Sequence, residues 1–204
     1  MAAADVNGDG KPDVLAANEL TRTVTAYLND GVGHFNTHVD TSMTNEPFQV
    51  AIGDFNGDGK LDVVTANAGD THAATILLGN GDGTFFIGNT YAIKKVTGVG
   101  VAGVVVADFN LDGKLDFAVA GGSGLSVFLG NGDGTFGNYI ESPNLYLYSL
   151  QVGDFNRDGK PDILASDGDQ MTVSSPTSPR VSATSITTER STWYGRGAVR
   201  LLRC

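Results

Sequence analysis

The sequence predicts an all-β protein built from repeated units, and two observations support this. A nine-residue loop pattern rich in aspartate, asparagine and glycine occurs four times, with starts 49, 54 and 46 residues apart. Short β-prone runs flank each loop, and residues 1–169 show no sustained helical period. A period near 50 residues matches one four-stranded propeller blade. The expected fold is therefore a β-propeller with three full blades and a partial fourth.

The four loops carry oxygen-bearing side chains at positions 1, 3, 5 and 9 and glycine at position 6. A loop that curls around an ion turns alternate side chains inward, and Ca²⁺ takes roughly six to eight oxygen ligands. Glycine permits the sharp turn, and the lysine at position 7 is expected to offer its backbone carbonyl. The predicted ligands of up to four Ca²⁺ ions are Asp5, Asn7, Asp9, Lys11, Asp13, Asp54, Asn56, Asp58, Lys60, Asp62, Asp108, Asn110, Asp112, Lys114, Asp116, Asp154, Asn156, Asp158, Lys160 and Asp162.

Each repeat is expected to place one strand before its loop and at least two after it. Strands before the loop are predicted at 50–53, 104–107 and 150–153, strands after it at 63–66, 117–120 and 163–165, and third strands at 23–28, 74–78 and 125–129. Each third strand leads into a turn, at 79–85 and 130–136 and in a looser form at 29–35. Asp-Gly there favours a tight hairpin, after which an outer strand completes the unit.

The predicted units are blade 1 at 1–49, truncated at its N-terminus, blade 2 at 50–103, blade 3 at 104–149, a partial blade 4 at 150–173, and a tail at 174–204. Residues 1–169 contain 22 acidic and 8 basic residues, a net charge of −14, whereas residues 170–204 carry a net charge of +4. The tail is rich in serine, threonine and arginine, so we expect it to be disordered. A frameshifted end and a basic surface-binding tail are the two interpretations of its composition.

Charge and composition exclude several classes of function. Twelve of the 22 acidic residues of 1–169 lie in the four loops, so most of the acidity comes from predicted metal ligands and not from a general acidic surface. Nucleic acid is therefore not an expected partner. Cys204 is the single cysteine, which excludes a disulfide framework. No apolar run has the length of a membrane span, and the first five residues lack the features of a secretory signal.

The pattern Asp-x-Asn-x-Asp-Gly-x-x-Asp between short strands, followed by Leu-Gly-Asn-Gly-Asp-Gly-Thr-Phe, resembles the FG-GAP/VCBS repeat of bacterial surface proteins and of integrin α-subunit propellers. The resemblance covers about residues 1–173. It implies that each repeat is one blade, that each Asp-rich loop binds Ca²⁺, and that a complete ring commonly has seven blades. It further implies a non-enzymatic binding or adhesion module, extracellular or on a cell surface, for a protein or glycan ligand. Fewer than four full blades predict either a fragment or self-assembly.

Other interpretations of the loops are less consistent with the residues. An EF-hand needs a glutamate at position 12, where this chain has Ala16, Thr65, Val119 and Ala165. Simple solvated turns would hold three carboxylates in register, which would repel one another without a cation. In the 79–85 and 130–136 turns, Asn80, Asp82, Asn131 and Asp133 could in principle bind a second ion, but a hairpin anchored by Phe85 or Phe136 explains the spacing.

Evidence for catalysis is weak in this sequence. His34, His38 and His72 lie at non-equivalent positions without a partner at catalytic or zinc-binding spacing, so we expect them at the surface. A degradative enzyme would need a catalytic domain outside this chain. A lectin-like propeller is the alternative, with Tyr91, Tyr139, Tyr146 and Tyr148 stacking on sugar rings. Position 2 of the loops, held by Val6, Phe55, Phe109 and Phe155, is predicted to pack between blades.

Overall fold

A computed structural model describes residues 1–68, 73–93, 101–121, 124–143, 147, 149–166, 170–174 and 198–202. These residues form sixteen strands arranged as four four-stranded sheets, each ordered as the strands follow one another in the chain. The described part contains no helix, so none of it is a helix that could cross a membrane. The prediction of an all-β fold of propeller blades is confirmed.

The first two sheets share one strand order. Sheet 1 contains β1 (Ala2–Ala4), β2 (Asp13–Asn18), β3 (Thr23–Leu28) and β4 (Thr37–Ser42), and its neighbouring strands are antiparallel. Sheet 2 contains β5 (Glu46–Gly53), β6 (Asp62–Ala68), β7 (Ala73–Gly79) and β8 (Phe85–Ala92), also antiparallel throughout.

The other two sheets have the same strand order, and they differ from the first two only in the direction of one strand. Sheet 3 contains β9 (Val101–Ala107), β10 (Asp116–Gly121), β11 (Gly124–Gly130) and β12 (Phe136–Pro143). Sheet 4 contains β13 (Ser149–Gly153), β14 (Asp162–Ser166), β15 (Gln170–Ser174) and β16 (Ala198–Leu202). That strand is β16, which runs parallel to its neighbour β15.

Strand β16 lies within the tail that the sequence analysis expected to be disordered, so that expectation is wrong for residues 198–202. The reason is local composition, because Ala198-Val199-Arg200-Leu201-Leu202 is an apolar run inside a segment otherwise rich in serine, threonine and arginine. It supplies the fourth strand of a sheet that was expected to be partial. The sheets also begin and end a few residues from the predicted blade boundaries, as in sheet 2, which starts at Glu46 instead of residue 50.

The chain divides into two compact units. Unit one comprises Met1–Lys95 and Gly130–Phe136, and unit two comprises Val96–Leu129 and Gly137–Cys204. The core of unit one joins sheets 1 and 2 through buried aliphatic residues: Leu15, Val24, Ala26, Val50, Val63 and Leu77. In unit two, sheets 3 and 4 bury Phe109, Ala118, Leu125, Val127, Leu150 and Ile163 together.

The four loops occupy equivalent places in the four sheets. Each loop joins the first strand to the second, and the residue before position 1 pairs with the aspartate at position 9, as Gly53 pairs with Asp62. The same pairing joins Ala4 to Asp13, Ala107 to Asp116 and Gly153 to Asp162. A position 9 side chain therefore begins the second strand of every sheet and lies at the boundary between the loop and the core.

Candidate metal loops

The aspartate at position 1 organises the backbone of each loop. In the second loop, Asp54 Oδ1 accepts hydrogen bonds from the N–H groups of Gly57 (2.7 Å) and Asp58 (3.2 Å), and Asp54 Oδ2 accepts one from Gly59 (2.9 Å). Asp5 accepts the same three bonds in the first loop. Asp108 and Asp154 each accept the bonds from positions 5 and 6. The backbone of each loop therefore curls around this carboxylate.

Positions 3 and 5 form two successive turns in every loop. Asn56 Oδ1 accepts a hydrogen bond from Asp58 N (3.0 Å), and Asp58 Oδ1 accepts one from Lys60 N (2.9 Å). The first, third and fourth loops repeat both bonds. Three of the four predicted ligand side chains in each loop are thus held in place by the loop's own backbone.

The position 7 lysines differ between loops. Lys11 pairs its Nζ with Asp9 Oδ2 at 3.2 Å, so the ammonium contacts a predicted ligand and does not simply point outward. Lys60 lies with its side-chain stem close to Gly81, where an added Cβ would be 3.2 Å from Lys60 Cγ. Both lysines therefore pack near the turn of their own sheet, since a Cβ at Gly31 would meet the stem of Lys11 at 2.9 Å.

The backbone takes a left-handed conformation at positions 4 and 6 of every loop. Position 6 is glycine throughout, with φ between +82° and +84°. Position 4 is glycine in the first two loops, but Leu111 (φ +59°) and Arg157 (φ +61°) hold it in the third and fourth. A side chain in this region carries a steric cost that glycine avoids. The sequence analysis explained position 6 and missed the equal requirement at position 4.

The aspartates at position 9 are fully buried in all four loops. Asp62 Oδ2 accepts a hydrogen bond from Phe55 N (2.9 Å), and Asp62 Oδ1 accepts one from Gly79 N (2.8 Å) at the start of the following turn. Asp13 makes the same two bonds, to Val6 N and Asn29 N. This carboxylate therefore joins loop, strand and turn, a role that the sequence analysis did not identify.

Burial raises the pKa of Asp62 above its ordinary value. The hydrogen bonds from Gly79 and Phe55 act in the opposite direction, and the neighbouring charges of Asp58 and Asp54 raise the pKa further. Burial is also the main cause of the raised pKa of Asp162, with a contribution from the charges of Asp158 and Asp154. In these two loops the charges at positions 1 and 5 therefore disfavour the charged form of the buried carboxylate at position 9.

The donor chemistry of the loops suits a hard cation, because carboxylate, amide and carbonyl oxygens are the ligands that Ca²⁺ prefers. Within the described residues, however, no three aspartate, glutamate, histidine or cysteine side chains converge in a group that could hold a metal ion. The predicted ligands thus share a loop, and their carboxylates are held by backbone N–H groups. Calcium binding is a proposal that we develop below.

The turns after the third strands are tied by their own side chains. Asp82 Oδ1 accepts hydrogen bonds from the hydroxyl (2.6 Å) and the N–H (2.9 Å) of Thr84, which hold the pKa of Asp82 below its ordinary value. Asn80 donates its side-chain N–H to Thr84 Oγ1 (2.9 Å). Asn131, Asp133 and Thr135 repeat this arrangement. These contacts explain the repeated turn pattern as a hairpin, which is the interpretation that the sequence analysis preferred.

The loops and turns of neighbouring repeats meet within unit one. Phe55 is 2% exposed, and its ring lies edge-on to that of Phe136, with 5.4 Å between centroids. Gly134 N donates a hydrogen bond to Phe55 O (3.0 Å), and Gly83 N donates one to Val6 O (3.1 Å). Position 2 packs between blades in the first three loops, including Phe109 in the core of unit two. Phe155 differs, because it is 48% exposed.

Each predicted sugar-stacking tyrosine that the structure describes packs against a phenylalanine of its own unit. Tyr91 packs edge-on against Phe136 and accepts a hydrogen bond from Phe136 N (2.9 Å), while Tyr139 packs against Phe128. Tyr146 and Tyr148 lie outside the described residues. Of the histidines, His34 and His38 are exposed, as expected, and His72 lies outside the described residues.

The repeats match a known family over most of the chain. The model of the FG-GAP-like repeat matches residues 5–65, 54–119 and 108–165. The chain therefore belongs to the FG-GAP-like repeat family, and its sheets are β-propeller blades. None of the curated proteins compared with the chain matches it.

A solved structure with the same fold is that of a lectin from Agrocybe aegerita, described as the structural basis of its specific recognition of non-reducing terminal N-acetylglucosamine. The two chains share 23% sequence identity with a TM-score of 0.54. The similarity covers 87% of this chain and 49% of the lectin, so this chain spans about half the length of the structure it matches. At that identity the similarity concerns the fold alone.

Proposed function

We propose that this protein is a non-enzymatic binding module of β-propeller blades in which each Asp-rich loop binds one structural Ca²⁺. The observation that carries the proposal is the buried Asp62, whose pKa is raised by burial and by the charges of Asp58 and Asp54. A divalent cation in the loop would relieve this repulsion. The position 9 carboxylate would then transmit the stabilisation to the strand and turn that it already joins by hydrogen bonds.

The ligands in each loop would be the oxygens at positions 1, 3, 5 and 9 and the carbonyl at position 7. Each carboxylate oxygen that accepts one backbone hydrogen bond keeps a second lone pair for a cation. Bound Ca²⁺ would supply positive charge that the side chains provide only through the position 7 lysine and, in the fourth loop, Arg157. For a Kd of about 10⁻⁴ M, a tenfold excess of free ion stabilises the folded state by roughly 1.4 kcal/mol per site.

The variant Asp58→Asn tests the calcium proposal with little change to the loop's backbone. The asparagine Oδ1 can still accept the bond from Lys60 N (2.9 Å), but one of the three carboxylate charges is lost. We expect isothermal titration to show Ca²⁺ uptake by the wild type and one site weakened at least tenfold in the variant, because the site's affinity depends on ligand charge.

Asp82→Asn is the matched control, since Asp82 is an exposed acid in a turn and is not a predicted ligand. Its Ca²⁺ uptake should equal that of the wild type. A wild type without measurable uptake, or equal uptake by Asp58→Asn and the wild type, would contradict the proposal.

The module is proposed to act outside the cell or on the cell surface, with a protein or glycan as its ligand. Membership of the FG-GAP-like repeat family supports a binding role. The function requires no catalytic group, and adhesion is the form of binding that the resemblance to integrin α-subunit repeats suggests. Locating the full-length protein by surface biotinylation would test the compartment, and an exclusively cytosolic protein would contradict it.

Carbohydrate binding is a second candidate because the structure matches a lectin whose ligand is terminal N-acetylglucosamine. Tyr91 is already committed to Phe136, so a sugar platform on this chain would have to use other aromatic residues. A glycan array is the direct test. Binding that is lost in Tyr139→Ala and kept in Tyr91→Phe would support this candidate, whereas an array without binding would exclude it for the ligands displayed.

A further inference from the structure

The sequence Asn-Gly-Asp-Gly occurs four times in the chain, and the structure describes every copy. Asn7 and Asn56 hold position 3 of the first two Asp-rich loops, whereas Asn80 and Asn131 lie in the turns at 79–85 and 130–136. An asparagine before glycine is prone to deamidation, because the glycine nitrogen can attack the side-chain amide carbon and no Cβ obstructs its approach. Since the four local sequences are identical, any difference in their reactivity has to come from the folded structure.

In the Asp-rich loops, hydrogen bonds hold both groups that would react. Gly57 N donates to Asp54 Oδ1 at 2.7 Å, and Asn56 Oδ1 accepts a bond from Asp58 N at 3.0 Å. The first loop repeats both bonds, at 2.8 and 3.0 Å. A hydrogen bond to a carboxylate is roughly twice as strong as one between neutral groups. The glycine nitrogen has to give up this bond before it can react, and the loop asparagines are also partly buried.

In the turns, the same groups lack these bonds. Among the described residues, no acceptor binds the N–H of Gly81 or Gly132, and no donor binds the side-chain oxygen of Asn80 or Asn131. Each turn asparagine instead donates its side-chain N–H to a threonine hydroxyl of its own turn, at 2.9 Å. Both asparagines are exposed, so water can replace this neutral bond at little cost. The nucleophile and the amide carbonyl of the turns are therefore open to reaction.

We propose that Asn80 and Asn131 are sites of spontaneous deamidation in the folded protein, and that the fold protects Asn7 and Asn56. Hydroxide takes the proton of the glycine N–H, and the glycine nitrogen forms a bond to the asparagine Cγ. The bond from Cγ to Nδ2 breaks, Nδ2 leaves as ammonia with a proton from water, and a succinimide ring remains. Water then opens either C–N bond of the ring that involves the glycine nitrogen, which gives aspartate or isoaspartate.

The modified turns are the ones that join adjacent repeats in unit one. Gly134 N donates to Phe55 O at 3.0 Å, and Phe136, which is 7% exposed, packs edge-on against the ring of Phe55. Isoaspartate at residue 131 inserts a CH₂ group into the main chain of this turn, ahead of Gly134. The insertion displaces Gly134 N from Phe55 O, so deamidation weakens the contact between the turn and the preceding Asp-rich loop.

Timed peptide mapping of the full chain in EGTA, at mildly alkaline pH, tests the assignment of the sites. Mass spectrometry detects each deamidated peptide by the replacement of NH₂ with OH. In the folded chain we expect Asn80 and Asn131 to react about tenfold faster or more than Asn7 and Asn56, because only the loop glycines are bonded to a carboxylate. The rates should rise in proportion to hydroxide. In urea high enough to unfold the chain, the four rates should be similar.

Two variants at one turn separate the site from its consequence. Asn131→Gln removes the reactive pair there, since glutamine would have to close a larger ring, and Asn80 should react at its wild-type rate. Asn131→Asp carries the charge of the deamidated chain without the inserted CH₂ group. Chains that carry isoaspartate at 131, separated by ion exchange, should unfold at a lower urea concentration than Asn131→Asp.

Equal rates at the four asparagines of the folded chain would overturn the proposal, and so would faster reaction in the loops. Turn asparagines that stay intact in the folded chain while all four react in urea would also overturn it. An isoaspartate form as stable as Asn131→Asp would overturn the effect on the contact between repeats. These measurements need no metal ion, so their failure leaves the calcium proposal to its own tests.

Discussion

At the scale of single residues, the aspartate at position 9 does two things that are easily confused. As a buried acceptor it holds Phe55 N and Gly79 N, and as a proposed ligand it would face the cation. Removing one acceptor oxygen leaves a buried N–H group without its partner, which costs about 1–3 kcal/mol. The structural part of this role is present whether or not an ion is bound.

We therefore expect Asp62→Asn to lower the free energy of unfolding by about 1–3 kcal/mol even in EGTA, because the amide nitrogen cannot accept a hydrogen bond. Urea unfolding followed by circular dichroism measures the change. Asp58→Asn is the control, since Asp58 is exposed and its bond to Lys60 N survives, and it should change stability in EGTA by less than about 0.5 kcal/mol. Equal effects of the two variants would show that the buried hydrogen bonds do not matter.

Leu111 illustrates a second effect at this scale. It occupies a left-handed position (φ +59°) that glycine holds in the first two loops, and its side chain is 53% exposed, so it gains little from packing. Leu111→Gly should raise the free energy of unfolding by about 0.5–1 kcal/mol, because the steric cost of a Cβ at positive φ disappears. Leu20→Gly, at a 99% exposed leucine without a positive φ, should have no stabilising effect. A loss of stability in Leu111→Gly would contradict this explanation.

At the scale of elements, the turns after the third strands do more than reverse the chain. The sequence predicts the hairpin correctly, because Asn80, Asp82 and Thr84 form local hydrogen bonds that local residue preferences reveal. The turns at 79–85 and 130–136 also contact the Asp-rich loop of the preceding repeat. This contact is long-range in sequence, so no local pattern indicates it. The same limit applies to β16, which pairs with a strand far from it in sequence.

Gly134→Ala measures what this contact contributes. Both Gly134 and Gly33 have positive φ, so alanine strains the backbone at either position by about 1 kcal/mol. At Gly134 the new methyl group would also press on Leu78 Cδ2 and disturb the bond from Gly134 N to Phe55 O. Gly134→Ala should therefore lose at least about 1 kcal/mol more than Gly33→Ala in denaturant unfolding. Equal losses would mean that the turn and loop are not coupled.

At the scale of the whole molecule, the sequence predicts the architecture well because the repeat is so regular. Four copies of one loop at a period near 50 residues define four sheets, and each sheet forms with its loop between the first two strands. The predicted ligands share one loop in every repeat. The spacing does not reveal that backbone N–H groups also bind the carboxylate oxygens of positions 1 and 9, because the turn that supplies one of these groups lies outside the loop.

The net charge of the repeats is the whole-molecule argument for calcium binding. Residues 1–169 carry a net charge of −14, and twelve of their acidic residues lie in the four loops. Four Ca²⁺ ions would add eight positive charges and bring the net charge of residues 1–169 to −6. The repulsion relieved in this way opposes the compact state, so its removal should stabilise every repeat.

The most direct test is scanning calorimetry of the full chain in about 1 mM Ca²⁺ and in EGTA, at matched ionic strength so that screening alone changes nothing. At roughly 1.4 kcal/mol per site, we expect Ca²⁺ to raise the melting midpoint by several degrees, with a smaller rise in Asp58→Asn. A midpoint that is the same in Ca²⁺ and in EGTA would contradict the claim that these loops hold structural calcium.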